Sequence, residues 1–180
     1  MVRFLLAEGV DGAAVALIKD PEAVQAALAA NGKPVRLSLG GKTDWLHGPP
    51  LDVLGGGRFS SDGPYVNNGP MMAGLLGDLG PSVVLRCRRP DDTEMRGPLV
   101  DVLVTSRAET PIDLNVFRAH DIEPTQRRVI GLKGKGHFRA AFAPIARDVI
   151  LVEGPGITGA DLSRLPFRNI RRPIWPLDPL

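Results

Sequence analysis

The chain has 180 residues, of which 43% are hydrophobic and 23% charged, with a net charge of +2. That length and mix fit one globular domain with a real core and exclude a disordered or collagen-like chain. The longest apolar runs, such as 13–18, fall well short of the roughly 20 residues that span a bilayer, and so small a basic excess with only 5% aromatics argues against a nucleic-acid surface.

In chain order, 2–8 predicts a helix ending at Gly9, and 13–18 a short buried strand. Asp20-Pro21-Glu22 supplies an N-cap, a first-turn proline and an acidic first turn, so a helix follows through Ala30 and stops at Asn31-Gly32. Val35, Leu37 and Leu39 alternate with Arg36 and Ser38 across 34–39, the period of a half-buried strand. The glycine-punctuated stretch 51–68 reads as hairpins with Asn67-Asn68-Gly69 as turn chemistry. Strands are expected at 82–87 and 99–105, joined by a polar loop over 88–97. Asp113 is positioned to cap a short helix through His120, and 127–132 reads as another strand. A helix is predicted over 137–147 with Phe138, Ala141, Phe142 and Ile145 on one face, followed by a strand over 149–152. Pro155, Pro166, Pro173, Pro176 and Pro179 leave the tail little beyond a turn at 160–164. With 21 glycines and 17 prolines, the expected fold class is α+β: a single mixed domain of short β-strands with a few packed helices.

Two turns carry candidate chemistry. Leu39-Gly40-Gly41-Lys42-Thr43-Asp44 could bring backbone N–H groups and a lysine to an anion, or be a structural turn; it lacks the Walker spacing. Gly131-Leu132-Lys133-Gly134-Lys135-Gly136-His137 looks like an anion site opening a helix, or a flexible basic loop. His47, His120 and His137 show no i, i+4 pairing, so no metal site is predicted. His120 reads as a positively charged cap at a helix end. Cys87, the one cysteine, sits among Arg86, Arg88 and Arg89. It is either a thiolate stabilised by cations or an ordinary strand cysteine, and its isolation fits a cytoplasmic protein. Ser106-Arg107 follows a strand where a substrate contact or a plain turn fits equally.

Several segments, in order, are similar to one known family. They are Ile18-Lys19-Asp20-Pro21-Glu22-Ala23-Val24, Leu39-Gly40-Gly41-Lys42-Thr43-Asp44 with His47-Gly48, and Asn68-Gly69-Pro70-Met71-Met72 with Asp78-Leu79-Gly80. Thr105-Ser106-Arg107, His137-Phe138-Arg139-Ala140-Ala141-Phe142, Asp161-Leu162-Ser163-Arg164-Leu165-Pro166 and Arg172-Pro173-Ile174 with Pro176-Leu177-Asp178 continue the series. Together they resemble the C-terminal domain of MlrC-like metallopeptidases. The resemblance implies a zinc peptidase of small or linearised peptides whose metal and catalytic acid lie in a larger N-terminal domain outside this chain. It therefore implies no metal, cofactor or catalytic residue here, and an isolated chain without peptidase activity. The expected partners are that metal-bearing domain or subunit and a small peptide, with no nucleic acid and no membrane. A non-catalytic interaction module is the alternative. Lys42, His47, Ser106, Arg107, His137 and Arg139 are the expected substrate-binding residues, gathered on one face beside the shared cleft.

Overall fold

A computed structural model describes residues 1–92, 94, 96–154, 159 and 161–179. Its elements are α1 (Val2–Ala7), β1 (Ala13–Lys19), α2 (Pro21–Ala29), β2 (Val35–Leu39), β3 (Leu51–Ser61), β4 (Pro64–Val66), β5 (Leu76–Asp78), β6 (Ser82–Arg88), β7 (Val100–Thr105), α3 (Asn115–Arg118), β8 (Val129–Leu132) and α4 (Arg139–Phe142). Six strands form a mixed sheet in the order β2-β3-β6-β7-β1-β8, and β4 and β5 form a separate antiparallel pair. The fold is α+β, as the sequence pattern predicts. No helix among the described residues is long and apolar enough to cross a membrane.

Local signals explain most boundaries. The Asp20 carboxylate accepts from Ala23 N at 3.1 Å with Pro21 in the first turn of α2, and Asn31 and Gly32, both at positive φ, end that segment. In β2, Leu37 and Leu39 are buried while Arg36 and Ser38 face water. Every residue of β7 is buried, because both sheet faces are covered there. Val100, Val102 and Val104 join the core under α1 and α2, whereas Leu103 joins the opposite core with Phe117, Phe138 and Phe142.

The sheet is rolled. Three strands separate β2 from β1, yet Gly40 N, just past β2, donates to the Asp20 carboxylate at 3.0 Å. Arg3 in α1 likewise reaches Pro50 O at 3.2 Å, before β3. The roll closes around the first core and brings the end of β2 against the end of β1.

Three expectations need correction. The 51–68 stretch is not a set of hairpins: β3 is one eleven-residue strand, followed by β4. Its glycines Gly55–Gly57 lie inside the strand instead of in turns, and a Cβ on Gly57 would make only an ordinary 3.7 Å contact with Val83. The 137–147 helix shortens to α4 and a 3₁₀ turn at Ala143–Ile145, because Pro144 has no N–H to continue the ladder. Phe138, Ala141 and Phe142 are buried as expected, but Ile145 is exposed. Residues 149–152 join no strand, although their composition favours one. In the tail, Leu162–Arg164 forms a 3₁₀ turn, and Ala160 lies outside the described residues.

Candidate functional site

β1 and its neighbours β7 and β8 are parallel. After β1 the chain passes to α2 on one face, and after β7 it passes to α3 on the other. Such a divergence opens the crevice where parallel sheets commonly place ligands. Asp20 N donates to Thr105 O at 2.9 Å across it, and Lys133 N to Ala16 O at 2.9 Å brings the exit of β8 to the same end.

Asp20, buried on the β1 side, is a hub. Besides Ala23 N and Gly40 N, its carboxylate takes Lys42 Nζ at 2.9 Å, and Glu22 adds a second contact at 3.3 Å. Burial opposes the Lys42 charge, but the bond to Asp20 and the two carboxylates outweigh it and hold the ammonium above its ordinary range. Gly41 makes the turn possible: its φ is +62°, and a Cβ there would sit 2.6 Å from Gly48 O. The Lys42 turn is thus wired from within, its cation engaged by two carboxylates.

The next residues form a second small unit. One Asp44 oxygen accepts from Leu46 N at 2.8 Å, His47 N at 3.1 Å and His47 Nδ1 at 2.7 Å, capping the 3₁₀ turn Trp45–His47. The bond to His47 leads the effects that lower the Asp44 carboxyl below its usual range. With Nδ1 fixed on Asp44, Nε2 is the ring nitrogen left to meet a ligand.

Ser106 and Arg107 belong to another network. Ser106 Oγ donates to Pro81 O at 2.7 Å, Arg107 N to Leu79 O at 2.8 Å, and the Arg107 guanidinium pairs with Asp78. His137 and Arg139 are exposed, and the Arg139 guanidinium lies 5.6 Å above the Phe138 ring centroid. The second turn does not open a helix at His137, because α4 begins at Arg139 and has only four residues. The structure thus brings Lys42 with Asp20, His47 with Asp44, and Ser106 with Arg107. Among the described residues no hydrogen bond or ion pair links these groups to one another or to His137 and Arg139.

Two other sequence alternatives resolve. Cys87 is an ordinary strand cysteine: burial, reinforced by the Asp101 carboxylate, pushes its thiol well above the usual range. The apolar core holds it on the face opposite that of Val84, so Arg86 and Arg88, which alternate with it, point away. His120 does sit at a helix end with Nδ1 2.8 Å from Val116 O, but burial lowers its pKa and keeps it neutral instead of positively charged.

The sequence reading missed a cavity of about 250 Å³. Trp45, Leu46 and Gly48 line one side, and Gly154, Arg164 and Leu165 line the other. No periodic pattern announces it, because it forms where two segments more than a hundred residues apart meet. A similar hollow of about 270 Å³ lies over Gly56 and Gly57 between Arg58, Arg86 and Arg88. Those three guanidinium groups already pair with Asp121, Asp101 and Asp92.

No three His, Cys, Asp or Glu side chains come together as metal ligands among the described residues. His47, with Nδ1 on Asp44, keeps Nε2 for a ligand as a zinc-bound histidine does, but no second and third ligand stand with it among the described residues, and His120 is enclosed in the core. No step below is routed through a metal held by this chain.

A rolled α+β domain with signature turns at the parallel strand ends is the class defined here. Residues 1–169 match the family model described as MlrC C-terminus, and the chain belongs to that family. It is 26% identical over 181 residues to microcystinase C of Sphingomonas sp, covering 100% of this chain and 32% of that protein. It also matches the crystal structure of a metallopeptidase-like protein from Mesorhizobium sp. BNC1 at 28% identity and a TM-score of 0.82, over 99% of this chain and 34% of that one. The chain spans about a third of the length of the relatives it matches.

Proposed function

We propose that this chain is the C-terminal domain of a zinc metallopeptidase and acts beside a metal-bearing domain on small or linearised peptides. The observation that carries this reading is the match of residues 1–169 to the family model described as MlrC C-terminus, together with the fold match of 99% of this chain to about a third of a metallopeptidase-like relative. Metal and catalytic acid belong to the other domain. This domain's part is to position the peptide. His47 offers Nε2, and Ser106 the lone pairs of a hydroxyl whose proton goes to Pro81 O. His137, Arg139 and the guanidinium N–H groups that Arg107 does not give to Asp78 offer donors suited to a peptide carboxylate or carbonyl. Lys42 acts indirectly, holding the first turn through Asp20.

The test is peptide hydrolysis by the domain joined to its metal-bearing partner. Arg107→Ala and Arg139→Ala should raise KM for a short peptide with a free C-terminal carboxylate and leave the amidated peptide little changed. Equal behaviour of the two peptides in wild type and both variants would remove the carboxylate-binding role. An unchanged catalytic rate when the chain is absent altogether would favour a separate interaction module.

A further inference from the structure

After the Ala143–Ile145 turn the chain continues through 154 as an arm with no helix or strand. Its first part carries four consecutive aliphatic residues, Val149, Ile150, Leu151 and Val152, which are 39%, 82%, 65% and 74% exposed. Three of the four are β-branched, the composition of a sheet interior. No backbone hydrogen bond engages 149–153 among the described residues, although β2 and β8 leave two sheet edges in the same chain. Trp45, 75% exposed, lines the same cavity as Gly154, two residues past Val152. A strand-forming segment beside an exposed tryptophan is a surface built to be covered.

We propose that Val149–Val152 and Trp45 form the seat of the metal-bearing domain, with the 149–152 backbone adding as a strand to an open sheet edge of that domain. This inference rests on the reading above and names its partner surface. The occupant follows from two observations. Two-thirds of each relative's length lies outside the matched region, and the fold match to the solved relative covers 99% of this chain, the arm included. The arm thus lies within the region that matches a chain about three times as long. Trp45 also belongs to the Asp44–His47 turn, so a domain covering it would stand next to His47 Nε2.

Hydrogen exchange on the chain alone and joined to its metal-bearing domain tests the proposal. Amides 149–153 should exchange freely in the isolated chain and slow at least tenfold in the joined protein. Ile150→Asp with Val152→Asp should weaken association of the separately supplied domains at least tenfold without changing the thermal unfolding of the chain, and Leu151→Pro should do so by removing one backbone donor. A complex that binds zinc and cleaves peptide while 149–153 stays unprotected would overturn this seat and leave the functional reading standing. A dimer of the isolated chain that Ile150→Asp dissolves would assign the surface to a second copy. A metal-bearing domain that neither binds the chain nor needs it would sink both.

Discussion

The two turns that look alike in sequence, 39–48 and 131–137, are built on opposite principles. In the first, two carboxylates hold the turn from within: Asp20 holds Gly40 N and Lys42, and Asp44 holds Leu46 and His47. In the second, Lys133, Lys135 and His137 are exposed around glycines. A glycine–lysine pattern alone therefore does not distinguish a turn that holds the fold from one whose cations face solvent. What separates them is a buried carboxylate 22 residues away from Lys42.

The contrast breaks most decisively at Asp20. Asp20→Ala removes the α2 cap and the partners of Gly40 N and Lys42 together, and should cost about 2–3 kcal/mol in denaturant unfolding. A loss below about 0.5 kcal/mol would mean that the first turn does not depend on this hub. Gly41→Ala comes next, at about 2 kcal/mol, because an L-residue is strained at that positive φ and its Cβ would meet the Gly48 carbonyl. A stability equal to wild type would show that the turn relaxes freely.

Acid sharpens the comparison more gently. The Asp44 carboxyl is lowered from its ordinary 3.8 in the fold, so the unfolded chain takes up its proton first. The stability Asp44 contributes is present above about pH 3.8 and is lost as the pH falls below that through the folded pKa. Trp45 fluorescence should report loosening of the first turn in that window, and Asp44→Asn should abolish the transition. A midpoint above pH 5 would point to another group. The smallest effect belongs to the second turn: Lys133→Ala and Lys135→Ala should each change unfolding free energy by less than about 0.5 kcal/mol. A larger loss would show that these lysines hold the fold as Lys42 does.

Much of the architecture is legible because its signals are local. Asp20-Pro21-Glu22 announces α2, and the alternation at 35–39 announces β2 with its buried face. Pro144 was a readable helix stop that the apolar spacing of Phe138, Phe142 and Ile145 masks. The Gly55–Gly57 run makes 51–68 read as hairpins, but these residues lie inside β3 and pair with β6. The candidate site was legible residue by residue and not as a set. The Asp20–Lys42 bond depends on the roll of the sheet, the Ser106–Pro81 bond on the pairing of β6 with β7, and the cavity beside Trp45 on the meeting of 45–48 with Gly154, Arg164 and Leu165, none of which a window of neighbouring residues encodes.

The central claim is that this chain completes a metallopeptidase whose metal is held elsewhere. The most direct measurement is zinc content and hydrolysis of a linear peptide, for the chain alone and joined to its metal-bearing domain. The account predicts no stoichiometric zinc and no cleavage for the chain alone, and both for the joined protein. One tightly held zinc with peptide cleavage in the isolated chain would contradict it.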